Sequence, residues 1–304
     1  MRSKADLFKT SLKKRLRTNV TGYLFISPWL LGLIFFTAGP IIMSFYYSFT
    51  SYNIFEPGDW VGIKNYIKIF TEDNLFWSVL LNTLFYVGFR LPLHIGLALL
   101  LAMALNRAMK GIALFRTAFY LPTVIPIVAS AAVWSWILDM QVGLLKYVLD
   151  FFHMPMPNWF GSILWAKPAI ILMSLWHTGT LMVIFLAGLQ DIPEYLYEAV
   201  DIDGGSILQK FIHITIPMLT PTIFFTLVID TINSFQVFAY SFILTNGGPL
   251  NSTLFLVLYI YRNAFSYFDM GYASSLAVIL FFIILLLTLV ILKFSKKWVV
   301  YERI

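Results

Sequence analysis

The 304-residue chain has no cysteine. That excludes a disulfide framework, a thiol nucleophile and a thiolate metal site. Charge is scarce as well: 12% of residues are Asp, Glu, Lys or Arg, about half the share usual in a soluble domain. With 60% apolar residues, 18% aromatics and a mean hydropathy of +0.81, so few charges cannot coat a water-soluble surface. Disorder, collagen-like repeats and an ordinary cytosolic enzyme are excluded. The four histidines, His94, His153, His177 and His213, lie far apart and form no H-E-x-x-H or similar metal spacing. There is no G-x-x-x-x-G-K-[ST] phosphate loop and no G-x-S-x-G elbow. The chain should therefore bind no ATP itself, hold no metal and carry no catalytic residues. No internal repeat is evident, which counts against the doubled halves of many secondary transporters.

What the sequence does have is long apolar runs. A membrane-spanning helix needs about 20 mostly apolar residues. Six segments qualify, at about 23–49, 76–105, 116–138, 169–190, 214–243 and 274–292. In the last, only Ser275 and Thr288 are polar between Ser275 and Leu292. The first is too long for a signal-peptide core and has no A-x-A cleavage site after it, so it reads as an anchor. Fifteen of the 21 lysines and arginines fall on the N-terminal segment, the even-numbered loops and the tail, five fall on the opposite side, and Arg90 lies within span 2. By the positive-inside rule both termini are cytoplasmic. The net charge of +6 then belongs to cytoplasmic loops rather than to a nucleic-acid surface. No linker divides the chain. The expected organisation is a basic cytoplasmic segment over 1–20 and a single transmembrane domain over 21–304. Residues 50–74 and 139–168 form outer loops.

Two polar features remain. Five acids crowd between Asp191 and Asp203 on an otherwise basic side. Pro193 suits a helix start and Glu194 its positive end. Asp203-Gly204-Gly205 breaks that helix, and a second segment from Ser206 to Ile214 leads to Pro217. This reads either as a helix–turn–helix hairpin at the cytoplasmic face or as a short acidic loop joining two spans. Within span 5, Thr226, Asp230, Asn233, Ser234, Gln236 and Tyr240 fall within roughly 160° of arc on a straight helix. Polar groups in a membrane usually face protein or water, so the stripe is either a path for a polar substrate or a seam to a partner. Trp176 and His177 on span 4 are further candidates for that path. Arg90 needs a partner. Asp230 is the only acid near mid-span elsewhere, so a structural Arg90–Asp230 pair is one reading; snorkelling, contact with carbonyls freed by Pro92, or contact with an acidic solute are the others.

Here a family likeness enters. Glu198-Ala199-Val200-Asp201-Ile202-Asp203-Gly204-Gly205, with Phe211, Ile214, Ile216 and Pro217, closely resembles the "EAA" signature of ABC importer permeases, E-A-A-x-x-D-G-A followed by F-x-x-I-x-L-P. Val200 and Gly205 stand where the pattern has alanine, and Ile216 where it has leucine. The glycine is expected to loosen the turn. Ser27-Pro28-Trp29-Leu30, Asn65-Tyr66, Asn82-Thr83, Phe115 to Pro122 and Thr245-Asn246-Gly247-Gly248-Pro249 resemble the sugar-permease branch of maltose-transporter type.

The resemblance implies an all-α, six-span, type I importer permease in a bacterial or archaeal cytoplasmic membrane. It implies a coupling hairpin at about 191–217, with Glu198, Ala199, Asp203, Gly204, Gly205 and Pro217 as ATPase-coupling residues. The implied partners are a second homologous permease, two cytoplasmic ABC ATPases that carry the ATP and Mg, and an extracytoplasmic sugar-binding protein that delivers an oligosaccharide. A permease for glycerol-3-phosphate or another small polyol derivative is the rival within the family. A stand-alone secondary transporter is the rival outside it.

Overall fold

The computed structural model describes residues 22–107 and 110–300. The expected N-terminal segment 1–20 lies outside the described residues. Those described are nearly all helical, with two isolated β-bridges, Thr50↔Trp60 and Asn53↔Asp269.

Helix α1 (Gly22–Tyr47) corresponds to span 1. Helix α2 (Lys64–Thr71) is a short amphipathic element in the loop between spans 1 and 2. Span 2 is α3 (Asn74–Leu105), begun by Asp73, whose carboxylate accepts from the backbone N–H groups of Leu75 and Phe76. At 32 residues it is roughly 48 Å long, and it forms the axis of the fold. Span 6 is α12 (Met270–Ser295), capped by Asp269. Between them lie α4 (Ile112–Tyr120), α5 (Ile127–Ile137), α6 (Leu144–Phe151), α7 (Ile163–Leu175), α8 (Gly179–Gln190) and α9 (Glu194–Ile202). The long α10 (Ile207–Phe235) and the short α11 (Leu256–Tyr261) complete the set.

Three spans differ from straight helices. Span 3 is the pair α4 and α5, bent by 104°. Leu121–Val124 tightens into a 3-10 turn, and Ile125, which precedes Pro126, is extended at φ −72°, ψ 126°. The proline ring disfavours helical geometry in the residue before it, so the sequence Leu121-Pro122-Thr123-Val124-Ile125-Pro126 turns the chain. Span 4 is the pair α7 and α8, bent by 49° at Trp176–Thr178. No proline sits at that bend; the backbone N–H groups of Trp176 and Thr178 bond three residues back, to Met173 and Leu175. Span 5 is shifted along the sequence. It starts at Ile207 as the second arm of the hairpin that follows α9 and stops at Phe235, not near 243. A π-turn at Phe211–Thr215, closed by the Ile216 N–H to Phe211 C=O bond, adjusts the helix just ahead of Pro217, which has no N–H to donate. The loops after spans 1, 3 and 5, in turn, carry the helices α2, α6 and α11.

Two apolar cores stack along the molecule. One contains Phe76, Val79, Tyr86, Met173, Phe235, Phe255 and Leu276. The other contains Ala98, Ala102, Met182, Phe185, Leu189 and Leu219. On α3 the first core ends at Val87 and the second begins at Ala98, leaving Arg90 and His94 between them. The helix ends beside these loops are pinned by hydrogen bonds. Asn65 Nδ2 donates to the carbonyls of Ser48 and Thr50 (3.0 and 2.9 Å). Asn82 Nδ2 donates to Asn251 C=O (2.8 Å) and accepts at Oδ1 from Lys167 Nζ (2.8 Å). Thr83 Oγ1 accepts from Leu256 N–H (2.9 Å). Asp73 also accepts from the phenols of Tyr259 and Tyr272. Burial and this carboxylate push the Tyr259 pKa up, so its hydroxyl remains a donor.

Candidate substrate cavity and coupling hairpin

Between the two cores lies a charged layer. Arg90 Nη1 is 2.7 Å from Asp230 Oδ1 and also donates to Ser234 Oγ. His94 Nδ1 is 3.0 Å from Asp230 Oδ2 and 3.2 Å from Arg90 Nη2. A carboxylate and a guanidinium leave one consistent assignment: the His94 proton sits on Nδ1 and is donated to Asp230. Asp230 is 1% exposed. Removing either charge of such a pair strands the other in a low-dielectric interior, at a cost of about 3–5 kcal/mol. The Arg90–Asp230 pair is therefore present, and it gains two further partners, His94 and Ser234.

Beside this layer opens a cavity of about 290 Å³. Tyr86 and Arg90 of α3 and Ile127 of α5 form one wall. Ser174 of α7 and His177 of the α7–α8 bend form a second. The end of α10 and the segment after it contribute Asn233, Gln236, Phe238 and Tyr240. The cavity thus sits where three spans are broken. The Tyr240 hydroxyl joins those breaks, at 3.0 Å from His177 Nδ1 and 3.1 Å from Ser130 Oγ.

The expected path residues divide. Asn233, Gln236, Tyr240 and His177 reach the cavity. Thr226 does not: it is buried and its hydroxyl is spent on the carbonyls of Thr222 and Ile223. Asp230 and Ser234 are turned toward Arg90 behind the wall. Trp176 lies on a different, apolar cavity of about 420 Å³, edge-on to Trp134 at 5.9 Å. The stripe fails as a single arc because α10 ends at Phe235; Gln236 and Tyr240 arrive by a change of chain direction. Tyr86 and Ser174 were missed. Tyr86 stands one turn before Arg90 on the face that carries His94, and that spacing was a usable signal. Ser174 had none.

At the other end of α10, the hairpin is built by two motifs. Helix α9 ends in a Schellman turn: Gly205 N–H donates to Val200 C=O (2.8 Å) and Gly204 N–H to Asp201 C=O (3.1 Å). Gly204 has φ +73°, the left-handed conformation that favours glycine. Ser206 then opens α10 in a capping box with Gln209. Lys210 and Asp201 pair across the two arms. Glu198, Ala199 and Asp203 are exposed, and Pro217 is half-buried at the root. A Cβ placed at Gly205 would lie 2.3 Å from Val200 Cγ1, so the larger residue at 200 fills the space that the smaller one at 205 leaves. Among the described residues no three His, Cys, Asp or Glu side chains come together to hold a metal ion.

Residues 94–300 match the family described as "Binding-protein-dependent transport system inner membrane component". The chain belongs to this family. It is an ABC-transporter permease subunit, and the match spans both the hairpin and the broken spans. It is 42% identical over 302 residues to the probable ABC transporter permease protein YesP of Bacillus subtilis (strain 168), covering 98% of this chain and 97% of that protein. It is 34% identical to the arabinooligosaccharides transport system permease protein AraP of the same organism, covering 91% and 88%. In fold it is similar to a chain of a bacterial alginate ABC transporter, crystallised with a periplasmic protein bound to an alginate pentasaccharide. That likeness has a TM-score of 0.82 at 23% identity and covers 93% of this chain and 96% of the other.

Proposed function

We propose that this permease forms half of the pore of an oligosaccharide importer in a bacterial or archaeal cytoplasmic membrane, with both termini cytoplasmic. A second, related permease completes the pore. Two ATPase subunits, which carry the ATP and Mg, dock on the coupling hairpins, and an extracytoplasmic binding protein delivers the sugar. This chain itself catalyses no reaction. One observation carries the reading: the helix whose outer end lines the cavity is continuous, at its inner end, with an exposed, rigidly closed hairpin. Ile202 and Ile207 at the hairpin tip are 86% and 83% exposed, an apolar knob ringed by Glu198, Asp201 and Asp203 that needs a cleft to cover it. A rigid arm of this kind passes closure of docked ATPases to the cavity wall. The cavity, in turn, offers what sugars require: amides and hydroxyls for the ring substituents and aromatic faces for the ring.

The test is purification of the tagged chain in mild detergent, followed by reconstitution with the binding protein. A second permease and an ATPase should co-purify, and oligosaccharide uptake should require ATP. Uptake by this chain alone, driven by an ion gradient, would refute the proposal.

A further inference from the structure

Taking the chain as a saccharide permease, we infer that its cavity is built for a sugar that carries a carboxylate, a uronic acid residue, and that Arg90 is the group that reads it. The lining contains one cation and no acid. The counter-charge, Asp230, is 1% exposed and sits behind the wall, while the Arg90 side chain keeps 11% exposure. A purely structural pair has no reason to present only its cationic half to the cavity.

The guanidinium donors divide in the same sense. Both Nη1 hydrogens are taken, by Asp230 Oδ1 and Ser234 Oγ. Nη2 is near His94 Nδ1, but that nitrogen already donates to Asp230, so it cannot accept. Among the described residues neither Nε–H nor Nη2 forms a further hydrogen bond, and the Tyr86 hydroxyl is the polar neighbour of the guanidinium on the cavity wall. Nε and Nη2 form one edge of the planar group, the fork that binds a carboxylate through two parallel hydrogen bonds. Asp230, braced by His94, holds the guanidinium flat from the opposite edge. Gln236 and Asn233, both exposed on the wall, are placed for sugar hydroxyls, and Phe238 for a ring face. The buried carboxylate also tempers the site. Because Asp230 already balances Arg90, an incoming carboxylate is held without a full unpaired positive charge, and a transported solute must leave as readily as it enters.

The experiment uses the complete complex in proteoliposomes, with loaded binding protein outside. The readout is the ratio of uptake of an unsaturated or saturated digalacturonide to that of its methyl ester, the same sugar without the charge. Affinity of the binding protein alone for each sugar is measured separately, because no substitution in this chain affects it. Wild type should favour the free acid after correction for delivery. In Arg90→Gln/Asp230→Asn, which removes both charges and strands neither, the ratio should fall about tenfold or more, the worth of one charge-assisted hydrogen bond. Gln236→Glu, an isosteric change at an exposed wall position, should lower the ratio in the same direction without touching the buried pair, and it decides the matter if the double variant fails to assemble. Preference of wild type for the ester, or a ratio unmoved by Gln236→Glu or by an assembled double variant, overturns the inference. Failure of wild type to import any saccharide, charged or neutral, would instead overturn the function on which it rests.

Discussion

Replacing Gly205 by alanine restores the residue that the EAA pattern has at this position, yet it should damage the protein. The added Cβ would lie 2.3 Å from Val200 Cγ1 and 3.1 Å from the Val200 carbonyl oxygen, against about 4 Å for relaxed carbon contact. Valine has little freedom to yield, since its branched Cβ leaves one strongly preferred χ1 in a helix. The turn is fixed too, by the Gly205 N–H to Val200 C=O bond. Overpacking of this kind costs about 1–3 kcal/mol, which corresponds to roughly 5- to 150-fold in an equilibrium that needs the native hairpin. Val200→Ala alone should cost no more than about 1 kcal/mol, because that side chain is half-exposed. Combining the two should relieve the clash, so that Val200→Ala/Gly205→Ala retains the ATPase subunit and its stimulated activity nearly as wild type does. The assay is a double-mutant cycle on ATPase-subunit retention in reconstituted complexes. Additive losses, or a Gly205→Ala variant that behaves as wild type, would refute the steric coupling of these two positions.

Gly204→Val forces a β-branched residue to φ +73°; uptake should be lost and ATP hydrolysis should stop responding to the loaded binding protein, while insertion and pairing with the second permease survive, as checked by co-purification. Asn233→Ala and Gln236→Ala, both exposed on the cavity wall, should each weaken uptake by about 0.5–1.5 kcal/mol equivalent with little effect on assembly; normal uptake combined with loss of the partner permease would make these residues interface rather than path. In this cysteine-free chain, Phe55→Cys (75% exposed) should react with an impermeant thiol label in intact cells and Leu208→Cys (64% exposed) should not; labelling of Leu208→Cys from outside would invert the proposed orientation.

The sequence by itself determined the class of molecule and most of its linear plan. Runs of 20 or more apolar residues have one stable environment, so the six spans could be read from composition alone. The hairpin was legible for a local reason: Pro193, Asp203-Gly204-Gly205 and Ser206 act through their own backbones within a few residues, and the Schellman turn and capping box form where those residues stand. The Arg90–Asp230 contact was legible because few charges exist within the spans and a buried one must be matched. Tertiary structure decided the rest. Whether a polar stripe faces a cavity depends on where its helix stops, and α10 stops at Phe235 because the segment after it turns to pack against α5 and the α7–α8 bend. Thr226 looked as available as Asn233 on a helical wheel, but neighbouring helices close over one and leave the other open. Val200 and Gly205 appeared as two separate departures from a pattern; only the close approach of their side-chain positions across the turn makes them a single compensated change. Likewise, Arg90 could be matched to Asp230 on charge alone, but which edge of its guanidinium stays free is fixed by Ser234 and His94, and by the depth at which the packed helices hold all four.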